Sequence, residues 1–457
     1  MGKTSITRRT FVRAMGGAFG AVAAAGLPVS VLAARPRPTA TRNPLFIPPT
    51  VSAAGYALGA APATLSVQGQ PRSVLAYNGY LPGPTFRASR GGSADVTLMN
   101  GLAQETTVHW HGMVVPPAAD GHPRDAVAPG GTYSYQFAVN QRAALNWYHP
   151  HTHMLTGEQV ALGLAGAFIV NDDEEAALAL PSGAYEVPLV VRDANIDSSG
   201  ALTYTAKSSG FLGKIPLVNG TQDAGLAVDT ALYRFRVLCG SNARLFRLAL
   251  SNGAPFAIIG NDGGLLAATA WESEIEIAPG ERLDLLVDFR TLAVGTKVML
   301  RDLNAGWDLL ELTVARQVTD TTAVPASLST IVPLGPPVTT REFSFDGMSR
   351  INGSVYDINR IDFEVPFGQT ELWRFRTGGN APHPVHVHGA SFQVQRRTGG
   401  RGTIFSWERG WKDTVLLQDG ETVEVLVRFD GFRGLYVMHC HKLEHEDMGM
   451  MANFVVV

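Results

Sequence analysis

One thirteen-residue stretch near the C-terminus carries the densest chemistry in the chain: Met438-His439-Cys440-His441-Lys442-Leu443-Glu444-His445-Glu446-Asp447-Met448-Gly449-Met450. In an extended segment, alternate side chains point to opposite faces. Cys440 then faces one way, and His439 and His441 both face the other. If Cys440 binds a metal, its two chain neighbours can serve a second centre just behind it. His445 and Met450 lie in the loop that follows and can fold back beside Cys440. A cysteine thiolate with two histidines and a weak methionine is the ligand set of a blue-copper electron-transfer site. The stretch supplies Cys440, one histidine and the methionine, so a second histidine must come from elsewhere.

The chain has twelve histidines, and all but His122 fall into four clusters. These are His109-Trp110-His111-Gly112, His149-Pro150-His151-Thr152-His153, His383-Pro384-Val385-His386-Val387-His388-Gly389 and the C-terminal stretch. Each contains an H-x-H pair, which places two imidazoles on one face of a strand. A single such pair is compatible with ordinary surface or core histidines, but four clusters are not. Three pairs together with His439 and His441 are too many for one mononuclear site and suit a small group of metals with open positions. Zinc is the rival, but its closed tetrahedral sites, or three ligands plus water, would leave most of these histidines unused.

The motifs H-W-H-G, W-Y-H-P-H, H-P-V-H-V-H-G and H-C-H-x3-H, followed by Gly449-Met450, resemble those of the multicopper oxidases in type, order and rough separation. The likeness is to bacterial three-domain laccase-like enzymes and copper-efflux oxidases in particular, and it covers everything after the leader. It implies four copper ions: a type 1 copper on His383, Cys440, His445 and Met450; a type 2 copper on His109 and His386; and two type 3 coppers, one on His111, His149 and His441, the other on His151, His388 and His439. The split among the last three metals rests on the resemblance alone. Cys440 and its two neighbours then offer an electron a covalent route from the first site to the second, where four electrons reduce dioxygen to water. Water formation needs protons. Asp120 and Glu446 match positions that carry acids in the resembled enzymes and are the expected relays; solvated surface carboxylates are the alternative. Asp413, in Trp411-Lys412-Asp413-Thr414-Val415, is expected either to order the loop near His383 or to be structural. His153 could share the face of His151, and His122 reads as an ordinary loop histidine.

These residues need strands to hold them. Asn78-Gly79, Asn219-Gly220 and Asn352-Gly353 recur at roughly domain-sized intervals. Similar runs follow the second and third, Tyr233-Arg234-Phe235-Arg236 and Trp373-Arg374-Phe375-Arg376, with Ala94-Asp95-Val96-Thr97-Leu98 as the counterpart in the first. One unit copied three times is the expectation. Glu421 to Phe429 puts Val423, Val425, Val427 and Phe429 on one face. Glu274-Ile275-Glu276-Ile277 alternates, Pro279-Gly280 turns, and Leu283-Asp284-Leu285 resumes. Such patterns predict all-β Greek-key sandwiches, and the resemblance implies that each is a cupredoxin-like domain. The expected ranges are 45–170, 171–316 and 338–457, with Gln317 to Pro337 as a linker and Arg35 to Pro49 as a linker or an arm over the first unit. Asp172 to Leu180 is the best helical candidate. The middle unit has no histidine, so the metal chemistry is expected between the first and last units.

With 457 residues, 45% hydrophobic and 17% charged, the chain is globular in composition. Residues 1–34 contain Lys3, Arg8, Arg9 and Arg13 and no acid; without them the formal charge goes from −3 to −7. A mildly acidic body argues against a nucleic-acid partner. Thr7-Arg8-Arg9-Thr10-Phe11-Val12-Arg13 and the Ala/Gly-rich run after it resemble a twin-arginine export signal. That pathway carries proteins already folded, which implies a periplasmic or otherwise exported protein. Its glycines and Pro28 make the run a poor membrane anchor, and no later segment is long and apolar enough to span a bilayer. Of the two cysteines, committing Cys440 to metal leaves Cys239 alone, as an inert core thiol without a disulfide.

The substrate is less legible. No methionine-rich insert is present among the eleven methionines, and Gly378-Gly379-Asn380-Ala381 stands where some cuprous oxidases carry an acid. Dioxygen with phenols or aromatic amines is therefore the favoured pairing, and oxidation of cuprous or ferrous ions comes second. A reading of another class is an exported cell-division or scaffold protein of the same fold; the complete ligand set argues against it. A two-domain nitrite reductase fits neither the three units nor the histidine count.

Overall fold

The computed structural model describes residues 42–67, 70–378 and 382–457. The expected export leader and Gly379-Asn380-Ala381 lie outside the described residues.

The three Asn-Gly pairs form the same turn. Asn78, Asn219 and Asn352 have φ of 50°, 47° and 51°, and the glycines that follow have 75°, 71° and 76°. Two successive positive φ values define a type I′ turn, which Asn-Gly favours. Each asparagine side chain also ties down a neighbouring strand, accepting from the amides of Gly59, Val190 and Ser344 respectively. The recurrence in the sequence is thus a recurrence of structure. The three runs that follow lie on the equivalent strands Ser93–Asn100, Leu232–Cys239 and Thr370–Thr377. Each pairs in parallel with an earlier strand and antiparallel with a later one.

The fold is three cupredoxin-like β-sandwiches, each built of two sheets. Their cores lie between the sheets, and the predicted faces supply them. Val423, Val425 and Val427 are 0% exposed and Phe429 is 1% exposed, in or just after the strand Thr422–Arg428. The middle sandwich has the largest core and includes Cys239. Both cysteines are free and buried, and burial pushes the Cys239 thiol well up.

Two strand pairs position the histidines. In the first sandwich, the strand His109–His111 pairs with Ala144–His149, setting His109 opposite His149 and His111 opposite Trp147. In the last, His383–Val387 pairs with Gly434–Cys440, setting His386 opposite His439 and Val385 opposite Cys440.

Three expectations need correction. Asn43–Pro44 pairs with Ala224–Asp229 of the middle sandwich, so the arm first joins that sheet and meets the first unit only further on, where Phe46 stacks on Tyr80 and the Pro49 carbonyl accepts from the Thr85 amide. The helix expected from Asp172 to Leu180 is a single turn, Asp173–Ala176, with the Asp172 carboxylate accepting from the Glu175 amide as its cap. The segment holding His445 contains a short helix, Leu443–Asp447, where a loop was expected. Between Arg316 and Thr339 the only pairing is an isolated bridge at Ser327, in keeping with a connecting segment.

Candidate metal centre

Cys440 ends its strand with its side chain in one pocket and those of its neighbours in another. Its Sγ lies 3.4 Å from His383 Nδ1 and 3.7 Å from His445 Nδ1, and those two nitrogens are 3.2 Å apart. The Met450 carbonyl accepts from the Cys440 amide, and the Met450 amide donates to the His445 carbonyl, which turns the methionine back toward the cysteine. All four residues are 0% exposed. Burial pushes the Cys440 thiol up to about 12, so a thiolate here needs a cation beside it. Two imidazole nitrogens and one sulfur around a common point suit copper.

Behind the cysteine, eight buried imidazoles from four strand ends meet between the first and last sandwiches. In six of them a hydrogen bond fixes which nitrogen faces inward. Nδ1 of His109, His149, His386 and His439 donates to the carbonyls of Asp120, Pro150, Asp413 and Cys440, at 2.8, 2.8, 2.9 and 3.2 Å. His388 Nδ1 donates to Asp120 Oδ2 at 2.7 Å. His111 is turned the other way: Nε2 is 3.1 Å from Asp413 Oδ1, and Nδ1 is buried without a partner. The inward nitrogens therefore carry lone pairs, yet they lie against one another. His109 Nε2 is 3.3 Å from His386 Nε2, and His439 Nε2 is 3.2 Å from that of His151 and 3.1 Å from that of His388. Facing lone pairs in a buried space repel unless a cation sits among them. Burial, with the neighbouring rings, also lowers the pKa of His109, His149, His388, His439 and His441, keeping them neutral as metal ligands require.

The sets His151/His388/His439, His109/His386/His388, His109/His111/His149 and His383/Cys440/His445 each bring their donor atoms within 4.8 Å of one another. His441 keeps both ring nitrogens unpartnered and lies 4.8 Å from His111 and 5.2 Å from His149, ring centre to ring centre.

Both proposed relay acids are buried against these rings rather than solvated. Asp120 is 0% exposed and Glu446 1%. Glu446 stands 3.1 Å from His439 Nδ1 and 3.6 Å from His151 Nδ1. Burial pushes both carboxyls above the usual range. Asp413 touches His111 and His386. Burial alone would raise its carboxyl; Arg282 and His111 outweigh that and hold it well below the usual range. His122 is a buried loop histidine held by Asn453. His153 packs its ring at a tilt against Tyr356 and belongs to none of the metal-competent groups among the described residues.

Sequence reasoning missed the contributions of the middle sandwich. Tyr204 hydrogen-bonds Glu444, and the Ser208 carbonyl faces the His445 ring, so an irregular segment roofs the cysteine pocket. Arg282 reaches Asp413. In the sequence that arginine marks only the start of a strand after a Pro-Gly turn.

All-β cupredoxin-like units carrying a Cys/His pocket backed by a histidine cluster define a class of copper oxidases, and comparison with known proteins agrees. Residues 60–175 and 320–457 each match a family model described as multicopper oxidase. A multicopper oxidase of Staphylococcus haemolyticus is 34% identical over 393 residues, covering 84% of each chain. The laccase of Bacillus subtilis is 30% identical, covering 83% of this chain and 90% of its own. The crystal structure of the McoA multicopper oxidase from Aquifex aeolicus superposes with a TM-score of 0.86 at 34% identity, covering 91% of this chain and 99% of that one. The cell division protein FtsP of Escherichia coli is also similar, 31% identical over 93% of both chains.

The chain belongs to the multicopper oxidase family. It is a copper-dependent oxidoreductase that takes electrons from a reducing substrate and passes them to dioxygen.

Proposed function

We propose that the chain is a laccase-like enzyme holding four copper ions and oxidising phenols and aromatic amines. The observation that carries this reading is the division of labour within three consecutive residues. Cys440 Sγ lies among the ring nitrogens of His383 and His445, while the rings of His439 and His441 belong to the cluster behind. His383, Cys440, His445 and Met450 hold the type 1 ion; His109 and His386 hold the type 2 ion. His111, His149 and His441 hold one type 3 ion, and His151, His388 and His439 the other. When bound, the copper supplies one-electron oxidation at the first site and four-electron reduction of dioxygen at the second. Asp120 and Glu446 flank the cluster on two sides, and their buried, protonatable carboxyls hold protons next to His388 and His439.

The phenolic substrate class is supported by relatives described as laccases and by the absence of a methionine-rich insert. The test is to measure steady-state rates with syringol-type phenols and with Cu(I), side by side, on copper-loaded protein. A higher kcat/KM on the phenol is expected; a large preference for Cu(I) would contradict it and favour metal-ion oxidation. The similarity to a cell division protein makes colour the test of a scaffold role, because a scaffold predicts colourless protein even when copper is supplied. Residues 1–34 serve as a twin-arginine leader that directs the enzyme to the periplasm or otherwise out of the cytoplasm. Replacing Arg8 and Arg9 together with lysine should retain activity in the cytoplasm. Among the described residues no helix is long and apolar enough to cross a membrane. The units divide near Val170 and Val338.

A further inference from the structure

The middle sandwich has no histidine, yet it walls the histidine cluster. Between the strands Glu274–Ile277 and Arg282–Asp288, the chain turns through Gly280, whose φ is +84°. A Cβ there would stand 3.0 Å from the His441 ring and 3.1 Å from the His111 ring. The next side chain but one, Arg282, is 0% exposed.

Every N–H of the Arg282 guanidinium has an acceptor. Nε donates to the Leu145 carbonyl at 3.0 Å. Nη1 donates to the Gly280 carbonyl at 3.0 Å and to Asp413 Oδ1 at 2.6 Å. Nη2 donates to the Asp262 carbonyl at 3.0 Å and to Asp413 Oδ2 at 2.5 Å. Leu145 belongs to the first sandwich, Gly280 and Asp262 to the middle one, and Asp413 to the last. A planar, permanently charged fork bonded in two places to one carboxylate fixes the plane of that carboxylate.

The fixed carboxylate in turn fixes histidines. Asp413 Oδ1 faces His111 Nε2, and the Thr414 hydroxyl donates to the same oxygen at 2.9 Å. The Asp413 carbonyl accepts from His386 Nδ1.

We propose that Arg282 is a positioning residue of the histidine cluster. Through Asp413 it keeps the proton of His111 on Nε2, turns the Nδ1 lone pair to the metal side, and seats His386, so that the middle sandwich is a working part of the oxygen-reducing centre. Lysine cannot replace it, because a point charge on a flexible stem cannot bridge five acceptors in one plane. The inference rests on the copper reading given above.

The test is copper content per chain, with the visible spectrum and type 1 midpoint potential, of wild type and Arg282→Lys reconstituted alike. Wild type should hold about four ions. Arg282→Lys should keep the blue absorption and the potential but lose about two ions and most oxygen uptake. Arg397→Met is the control for general destabilisation: it breaks a buried ion pair with Glu408 and Glu421 within the last sandwich. It should lower Tm and keep its copper. If Arg282→Lys does not fold, Asp413→Asn is read in the same way, with the same loss expected. Full copper and wild-type oxygen uptake in Arg282→Lys or Asp413→Asn would overturn the proposal, as would equal cluster loss in Arg397→Met. Wild type holding one copper or fewer would overturn the copper reading itself, and the proposal with it.

Discussion

Asp120 Oδ2 lies 2.7 Å from Nδ1 of His388, and both residues are all but sealed from solvent. The other carboxylate oxygen has no hydrogen-bond partner and sits 3.6 Å from His109 Nδ1. One acid thus orients a cluster histidine and keeps a free oxygen where a proton can be held. Asp120→Asn preserves the shape and removes the titration. Oxygen uptake should fall by about ten- to a hundredfold, with the blue absorption of the cysteine site unaltered. Unchanged turnover, measured with an oxygen electrode, would refute the relay.

Met450 is fully buried and is turned back on Cys440 through the two backbone hydrogen bonds that link it to Cys440 and His445. The axial group of such a site tunes its potential. Met450→Leu should therefore raise the midpoint potential with copper content unchanged. A redox titration that shows no rise would contradict the assignment.

Gly280 is needed both for its positive φ and for its missing side chain. Gly280→Ala adds strain of about 1–3 kcal/mol and pushes a methyl against the rings of His111 and His441. It should lower Tm and deplete the cluster, while the cysteine site keeps its colour. Calorimetry and metal analysis together check both effects.

Glu175 pairs with Arg234 at 2.7 Å and Arg236 at 2.9 Å within the buried face of the middle sandwich. Burial alone would raise its carboxyl; the two guanidinium groups outweigh that and bring it down to about 2. A depressed folded-state pKa contributes stability above the ordinary carboxyl range, and that stability is lost as pH falls through it toward 2. Glu175→Gln should destabilise the protein at neutral pH by about 3 kcal/mol. The difference from wild type should shrink between roughly pH 4.5 and 2. Urea titrations across that range check the sign; a gap that widens on acidification would contradict it.

What could be read in the sequence was what depends on local spacing. The Asn-Gly turns, the alternating valines of Thr422–Arg428 and the opposed faces of Cys440 and its neighbours follow from the period of a strand, which any extended segment must obey. The clustering of H-x-H pairs was legible for the same reason. Contacts between sandwiches were not. Arg282 and Asp413 are far apart in sequence, and although the stretch around Asp413 singled it out, nothing local to either residue names the other as its partner. Only the packing of three sandwiches brings guanidinium, carboxylate and imidazole into contact. The short helix Leu443–Asp447 was hidden because the metal-ligand spacing in that stretch fits a loop as well as a single turn. The arm at Asn43–Pro44 went astray because two residues in a parallel pairing carry no pattern that names the partner sheet.

In the proposed function, one thiolate couples a copper pocket to a separate copper cluster through its own chain neighbours. Its most direct test is metal analysis and visible spectroscopy of the copper-loaded protein beside Cys440→Ser. About four ions per chain and a strong blue band are expected in the wild type. In the variant the band should be lost, with about one ion fewer and no turnover. Wild-type protein with far fewer than four ions, or a serine variant that still consumes oxygen at the original rate, would contradict it.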